Sequence, residues 1–284
     1  MNYSIKTLAS IAASIGLLNA LPATAAVVDN LTAQSSAQAD WSTYFDGPYS
    51  SPTSVSSTVS YIGSISEASA SSLGTVVGTY GVGASGSGQF DSTGQFQRQW
   101  DITNDSGVAQ KYTLNFYIYN GYLTAYNNYE SGSGYAEYSV NILQNGSTSL
   151  FNSSAKITSD GALTTSGTAL TGAAKSGTSY TWTGSYITVD LGILSAGAST
   201  SVQYDVIGHA FGAYDLKTCS GRYAEGSPWC STGSSYMYLG DSTPSTPIPG
   251  IGISAQPVPE PGSWAMLIAG LGLVGFAARR RNQS

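Results

Sequence analysis

The chain alternates apolar and polar side chains over several long stretches. The alternation runs through residues 89–102, 111–120 and 200–207. A period of two residues is that of a β-strand with one buried face. Asn145 and Gly146 lie between two further strand-like stretches and predict a tight hairpin, because both residue types tolerate positive φ. The pattern therefore predicts a β protein built from antiparallel strands.

Short strands at this spacing, without a good amphipathic helix, are typical of an all-β sandwich. We place this domain at residues 53–241, with a first strand near its start. Residues 26–52 carry apolar patches without alternation, which favours a lead-in, either a short helix or an irregular segment. Residues 64–88 are rich in Ser, Gly and Ala and predict flexible loops around one strand. Within them, residues 81–86 read as a turn.

Two stretches, residues 102–107 and 189–200, resemble segments of bacterial Ig-like surface modules. Each stretch joins a loop to an apolar or aromatic strand. The resemblance is local, and it implies an Ig-like or jelly-roll-type β-sandwich.

The N-terminal segment has the three parts of a secretory signal peptide. Lys6 and the amino terminus make a basic start, residues 8–21 are largely apolar, and residues 23–25 fit the small-x-small cleavage rule. We predict a signal peptide at residues 1–25, cut between Ala25 and Ala26, with a cut after Ala26 as the alternative. The general secretion machinery and signal peptidase are then the first partners. A buried N-terminal helix is the competing interpretation.

The C-terminal tail consists of a rigid turn, an apolar run and a basic stop. Residues 264–278 contain no charge and no hydroxyl group. Arginine costs about 2.5–3.5 kcal/mol at the centre of a bilayer, so the basic residues stay on the cytoplasmic side. A helix over these residues reaches about 22 Å, short of the ~30 Å hydrocarbon core, which favours a transient hold in the membrane. The turn residues are Val258, Pro259, Glu260 and Pro261, and the basic residues are Arg279, Arg280 and Arg281.

This tail, residues 258–284, resembles the PEP-CTERM sorting signal of Gram-negative bacteria, also catalogued as the ice-binding protein C-terminal domain. The resemblance implies recognition by an exosortase, a membrane cysteine peptidase, with cleavage near the Pro-Glu-Pro turn. It also implies a precursor held by the inner membrane and a product at the cell surface or in the extracellular matrix, beside exopolysaccharide. Residues 242–257 contain four prolines and predict a stiff, extended linker that presents the motif.

The composition excludes one class of partner. Residues 26–256 hold six basic and fifteen acidic side chains, a formal net charge of −9. A chain this acidic lacks the basic surface that binds the phosphates of nucleic acid. Only 9% of all residues are charged, against roughly 25% in an average soluble protein. Twenty Tyr and five Trp argue against disorder, because disordered chains are poor in aromatic residues.

The two cysteines, Cys219 and Cys230, are predicted to form a disulfide. Export places them in an oxidising compartment, and the ten residues between them include glycine and proline that let the segment turn back. A thiol nucleophile is disfavoured because nothing places His209, the single histidine, beside either cysteine. His209 itself reads as a strand-end residue. We predict no cofactor, no metal site and no catalytic group, since the acidic residues are scattered along the chain.

Aromatic side chains beside carboxylates suggest a surface for sugars. The possible glycan-binding residues are Tyr122, Tyr126, Tyr129 and Tyr135, and Glu130 and Glu137 lie near them. A solvated loop with aromatic packing is the simpler interpretation of this stretch. Three functions stay open: a non-enzymatic surface or matrix protein, a carbohydrate-binding module, and a secreted glycoside hydrolase that uses the two glutamates.

Overall fold

The computed structural model describes residues 25–63, 66–127, 132–214, 233–240, 252–258 and 261–281. Over these residues the chain forms seventeen strands and one helix. The strands are β1 Ala25–Ala39, β2 Ser42–Ser51, β3 Ser54–Ile62, β4 Glu67–Thr75, β5 Tyr80–Ser87, β6 Gln89–Asn104, β7 Gln110–Ile118, β8 Gly121–Tyr126, β9 Gly132–Gln144, β10 Thr148–Thr158, β11 Leu163–Gly167, β12 Ala174–Ser176, β13 Ser179–Trp182, β14 Ser185–Leu194, β15 Ser199–Tyr214, β16 Ser234–Gly240 and β17 Gly252–Pro257, and the helix is α1 Pro261–Arg281. The all-β prediction is confirmed.

The strands form three antiparallel sheets. Sheet 1 has the order β11-β10-β9-β15-β6-β1-β2, sheet 2 the order β12-β13-β8-β16-β5-β4-β3, and sheet 3 the order β14-β7-β17. The predicted hairpin at Asn145 and Gly146 joins β9 to β10, and both residues have positive φ, 52° and 70°. Ig-like or jelly-roll connectivity stays a prediction.

The core lies between sheets 1 and 2 and is closed by sheet 3. Tyr204, on β15 of sheet 1, is the point where the three sheets meet. Its ring lies 5.4 Å from the ring of Tyr80 on β5 and 5.5 Å from the ring of Phe116 on β7. The long alternating strands β6 and β15 occupy the middle of sheet 1, and each has a buried inner face along its whole length.

At the other end of the sandwich, small side chains let the sheets approach closely. A Cβ added to Gly94 on β6 would lie 2.3 Å from the carbonyl oxygen of Ser71 on β4. The hydroxyl of Ser72 donates to the carbonyl of Gln34 across the sheets at 3.0 Å. The prediction of flexible loops around one strand at residues 64–88 is therefore wrong, since β4 and β5 run through them, and residues 81–86 are strand and not turn.

The expected lead-in at residues 26–52 is also wrong. It forms β1 and β2, and β1 lies between β6 and β2 inside sheet 1. The buried positions of β1 include Ala33, Ser35 and Ala37, whose small side chains give almost no apolar alternation in the sequence. Residues 26–52 therefore belong to the β domain and do not precede it.

The predicted linker at residues 242–257 includes a strand. Residues Gly252–Pro257 form β17, which pairs with β7 at the edge of sheet 3. Residues 242–251 lie outside the described residues. The helix α1 extends three residues beyond the predicted run, 264–278, at each end. Within the ranges that the structure describes, no helix is both long and apolar enough to cross a membrane.

Candidate functional site

Four tyrosines share the outer face of sheet 2. Tyr122 and Tyr126 lie on β8, and Tyr236 and Tyr238 lie on the neighbouring strand β16. The register places Tyr238 opposite Tyr122 and Tyr236 opposite Thr124. The side chains that alternate with them point into the core. We call Tyr122, Tyr126, Tyr236 and Tyr238 the tyrosine face.

The rings of the tyrosine face stand above small neighbours. Tyr122 and Tyr126 are each 44% exposed, and Tyr236 is 40% exposed. On the adjacent strand β5, a glycine lies opposite Tyr238 and a serine opposite Tyr236. The rings of Tyr122 and Tyr238 are 6.3 Å apart between centroids. Among the described residues, the four rings and the glycine, serine and threonine opposite them form an uncharged surface of aromatic rings and hydroxyl groups.

The four predicted glycan-binding tyrosines do not share one surface. Tyr122 and Tyr126 belong to the tyrosine face, whereas Tyr135 lies on β9 of sheet 1. Tyr129 lies outside the described residues, as does Glu130. Sequence reasoning missed Tyr236 and Tyr238, although their spacing of two residues places both on one side of a strand.

Sheet 1 carries a second polar cluster on its outer face, centred on His209. This histidine lies inside β15 and not at a strand end, so that prediction is wrong. Its Nε2 is 2.8 Å from Oδ1 of Asp91 on β6, and its Nδ1 is 2.8 Å from Oε1 of Glu137 on β9. Lys156 on β10 approaches the other carboxylate oxygen of Glu137 at 3.7 Å. We call Asp91, Glu137, Lys156 and His209 the histidine cluster.

Aromatic rings adjoin the histidine cluster. The Nζ of Lys156 lies 3.2 Å from the ring centroid of Tyr135, which is a cation–π contact. The ring of Tyr135 stacks on that of Phe211 at 5.2 Å and meets the imidazole of His209 edge-on at the same distance. An open groove of about 520 Å³ runs beside Glu137, Lys156 and His209.

The charges around His209 set its protonation state. Burial lowers the pKa of His209, but the hydrogen bonds and negative charges of Asp91 and Glu137 outweigh burial and raise the pKa to about 9. The hydrogen bond from His209 lowers the pKa of Glu137. At neutral pH the imidazole is therefore protonated and donates from both nitrogens, which leaves it no lone pair to act as a general base. Glu137, held ionised, is a poor proton donor.

We expect the stability of the domain to fall as the pH rises through about 9. The folded-state pKa of His209, about 9, lies above the unfolded value of about 6.5. The contribution is thus fully present below the unfolded value and is lost as the imidazole deprotonates in the folded state, a change on the order of 1–3 kcal/mol. Denaturant titrations at pH 6 to pH 10 measure it. The variant His209→Gln should show a flatter profile, and identical profiles would contradict the assignment.

Among the residues that the structure describes, no group of three or more His, Cys, Asp or Glu side chains is arranged to hold a metal ion. The predicted disulfide cysteines, Cys219 and Cys230, lie outside those residues. Ala25 and Ala26 stand at the start of β1, opposite Asn104 and Thr103. A cut between them would leave a mature chain whose first residue is already in the sheet.

The sorting motif begins where sheet 3 ends. The backbone N–H of Val258 donates to the carbonyl of Ala109 at 3.0 Å, one residue beyond β17. Pro261 opens α1, a position that suits proline because the first turn of a helix leaves N–H groups unpaired. Pro259 and Glu260, between them, lie outside the described residues. The three arginines, Arg279 to Arg281, form the last residues of α1.

Comparison with protein families identifies this tail. Residues 257–281 match the PEP-CTERM protein-sorting motif, which confirms the resemblance. The motif marks an exported protein that an exosortase sorts. Comparison with curated proteins and with solved structures gave no match. The match covers the tail alone, and the described part of the chain ahead of it is all-β.

Proposed function

We propose that the chain is a non-enzymatic protein of the cell surface or extracellular matrix of a Gram-negative bacterium, and that its sandwich binds exopolysaccharide. The observation that carries the glycan-binding part is the tyrosine face. Four tyrosines from two adjacent strands stand on one uncharged surface. The carbohydrate-binding role and the matrix role are thus joined in one function, and the exopolysaccharide of a biofilm is the partner.

The chemistry of the tyrosine face suits sugars. The face of an aromatic ring is electronegative, so it attracts the weakly positive C–H groups on the flat side of a sugar ring. The phenol hydroxyls of the exposed tyrosines can exchange hydrogen bonds with sugar hydroxyls. Lack of charge favours neutral sugars, because an uncharged face offers no partner for a carboxylate or sulfate group.

The route to the surface follows from the two ends of the chain. In this proposal the secretion machinery exports the precursor, signal peptidase removes residues 1–25, and α1 holds the precursor briefly at the inner membrane. The apolar side chains of α1 support this step, since Met266, Leu273 and Phe276 are 76%, 71% and 68% exposed and need an apolar partner. Exosortase then cuts near Pro259, and the sandwich is released or attached outside the cell.

The double variant Tyr122→Ala, Tyr236→Ala tests the tyrosine face. Loss of two stacking rings, at about 0.5–1.5 kcal/mol each, should weaken glycan binding roughly 5- to 150-fold. Isothermal titration with exopolysaccharide extracted from the producing cells, and with cellohexaose and N-acetylchitohexaose, measures the dissociation constant. The matched control is Tyr186→Ala, since Tyr186 is 61% exposed but lies on β14 of sheet 3. Equal affinity of the double variant and the wild type would refute the tyrosine face as the site.

A further inference from the structure

The turn between β1 and β2 has an unusual composition. Its two central residues, Asp40 and Trp41, have φ of 47° and 68°, a region that Gly, Asn and Asp favour in such hairpins and that a bulky side chain such as Trp rarely adopts. Trp41 is also 92% exposed. Trp41 thus combines a costly backbone conformation with an exposed indole, and backbone outliers of this kind cluster at ligand sites.

An open pocket lies against Trp41. It has a volume of about 220 Å³, and its lining includes Gln38, Asp40, Gln89 and Phe211 in addition to the indole. Drug-sized ligands occupy pockets of roughly 300–1,000 Å³, so this pocket is suited to a single ring. Oδ1 of Asp40 is buried and has no hydrogen-bond partner within the described part of the chain, although a buried polar atom normally has one.

The histidine cluster positions two further walls of this pocket. Asp91 lines the pocket and is bound through Oδ1 to the imidazole of His209 at 2.8 Å, while its side chain stays 48% exposed. Phe211 is backed by the stacked ring of Tyr135. The cluster therefore holds a carboxylate and an aromatic ring in fixed orientations at the mouth of the pocket.

We propose that this pocket binds one neutral sugar ring of a polysaccharide. Trp41 and Phe211 supply the apolar surfaces on which the ring lies. The carboxylate of Asp91 accepts hydrogen bonds from the sugar hydroxyls, and the amides of Gln38 and Gln89 accept and donate them. Two carboxylates at the site repel uronic acids and sulfated sugars. We call this the tryptophan pocket.

The tryptophan pocket makes the protein bivalent. It opens on sheet 1, whereas the tyrosine face lies on the outer side of sheet 2. The two sheets of a sandwich are ~10 Å apart, so one extended glycan cannot occupy both sites without wrapping around the domain. Each molecule would therefore hold two glycan chains and crosslink them. The crosslinking rests on the proposed function, because it needs glycan binding at the tyrosine face. Sugar binding in the tryptophan pocket does not depend on that face.

The variant Trp41→Gly tests the pocket without endangering the fold. Glycine adopts positive φ readily, so the thermal midpoint should be unchanged or higher, whereas a structural role would lower it. Titration with cellohexaose should give two sites per wild-type chain and one site in Trp41→Gly. The double variant Tyr122→Ala, Tyr236→Ala should also keep one site. The triple variant that combines it with Trp41→Gly should keep no site. The wild type should make a solution of long mixed-linkage β-glucan turbid, because it crosslinks the chains. The two variants that keep one binding site each should produce no turbidity.

The outcomes separate the two proposals. Two sites and full turbidity in Trp41→Gly would overturn the tryptophan pocket and leave the tyrosine face untouched. Loss of one binding site in Trp41→Gly, with both sites kept in the double variant Tyr122→Ala, Tyr236→Ala, would support the tryptophan pocket and refute the tyrosine face. Unaltered glycan binding together with reduced self-association of Trp41→Gly in sedimentation would overturn the pocket in favour of a contact between copies. Failure of the wild type to bind any of the probes would overturn both.

Discussion

Truncation after Val258, which removes residues 259–284, is expected to abolish sorting and leave the sandwich folded. The cut spares β17 and the hydrogen bond from Val258 to Ala109, so the edge of sheet 3 stays paired. It removes the Pro-Glu-Pro turn, α1 and the three arginines that the sorting motif comprises. The truncated protein should lose its surface location almost completely and appear in the periplasm or the medium. Cell fractionation and mass spectrometry of the C-terminus measure both effects.

A second truncation separates sorting from folding. Removal of residues 252–284 also takes away β17, which leaves the β7 edge of sheet 3 unpaired and open to aggregation. This longer truncation should lower stability, whereas the shorter one should not. Surface display of the shorter truncation at the wild-type level would contradict the role of the tail in sorting.

Replacement of Arg98 by methionine should destabilise the domain by about 3–5 kcal/mol, because it leaves a buried carboxylate without its partner. Arg98 faces the core from β6 with 7% of its side chain exposed, and Asp29 is 16% exposed. The guanidinium donates twice to Asp29, at 3.0 and 2.5 Å, and once to the carbonyl of Val76 at 2.7 Å. It also lies 4.6 Å from the ring centroid of Trp100. Urea denaturation measures the free energy of unfolding.

The chain offers a matched control for this ion pair. Lys111 and Asp190 are 2.8 Å apart, but their side chains are 48% and 58% exposed. Lys111→Met should therefore cost about 1 kcal/mol or less, as exposed pairs do. The double variant Arg98→Met, Asp29→Leu should recover much of the loss, since no charge stays buried. Equal effects of Arg98→Met and Lys111→Met would show that the buried pair contributes no more than an exposed one.

Large apolar side chains made part of the fold predictable. Phe96, Trp100 and Ile102 alternate with polar residues, so one face of the strand has a strong preference for the core. This pattern predicts β6. Where the buried positions are Ala33, Ser35 or Ala37, each side chain contributes little to that preference. Such strands are placed by their neighbours, which is why the sequence does not predict β1 and predicts only one strand where β4 and β5 lie.

The candidate sites also divide into residues with a local sequence pattern and residues that only the fold brings together. The sequence predicts that Tyr122 and Tyr126 of β8 bind glycan, which stays a prediction, whereas Tyr135, predicted with them, lies on the other sheet. The histidine cluster had no signal in the sequence, because its contacts span 72 residues from Glu137 to His209 and 118 residues from Asp91 to His209. Only the register of β15 between β6 and β9 brings these three side chains together.

The sequence by itself determined the all-β class and the sorting tail, because both depend on local order: alternation within a strand, and a Pro-Glu-Pro turn, an apolar run and arginines within one short segment. The tertiary structure decided which residues share a surface. It placed Tyr122 opposite Tyr238, set Trp41 and Phe211 around one pocket, and paired the segment before the sorting motif with β7. These neighbours depend on strand order and register, which are set by packing between sheets and have no local pattern along the chain.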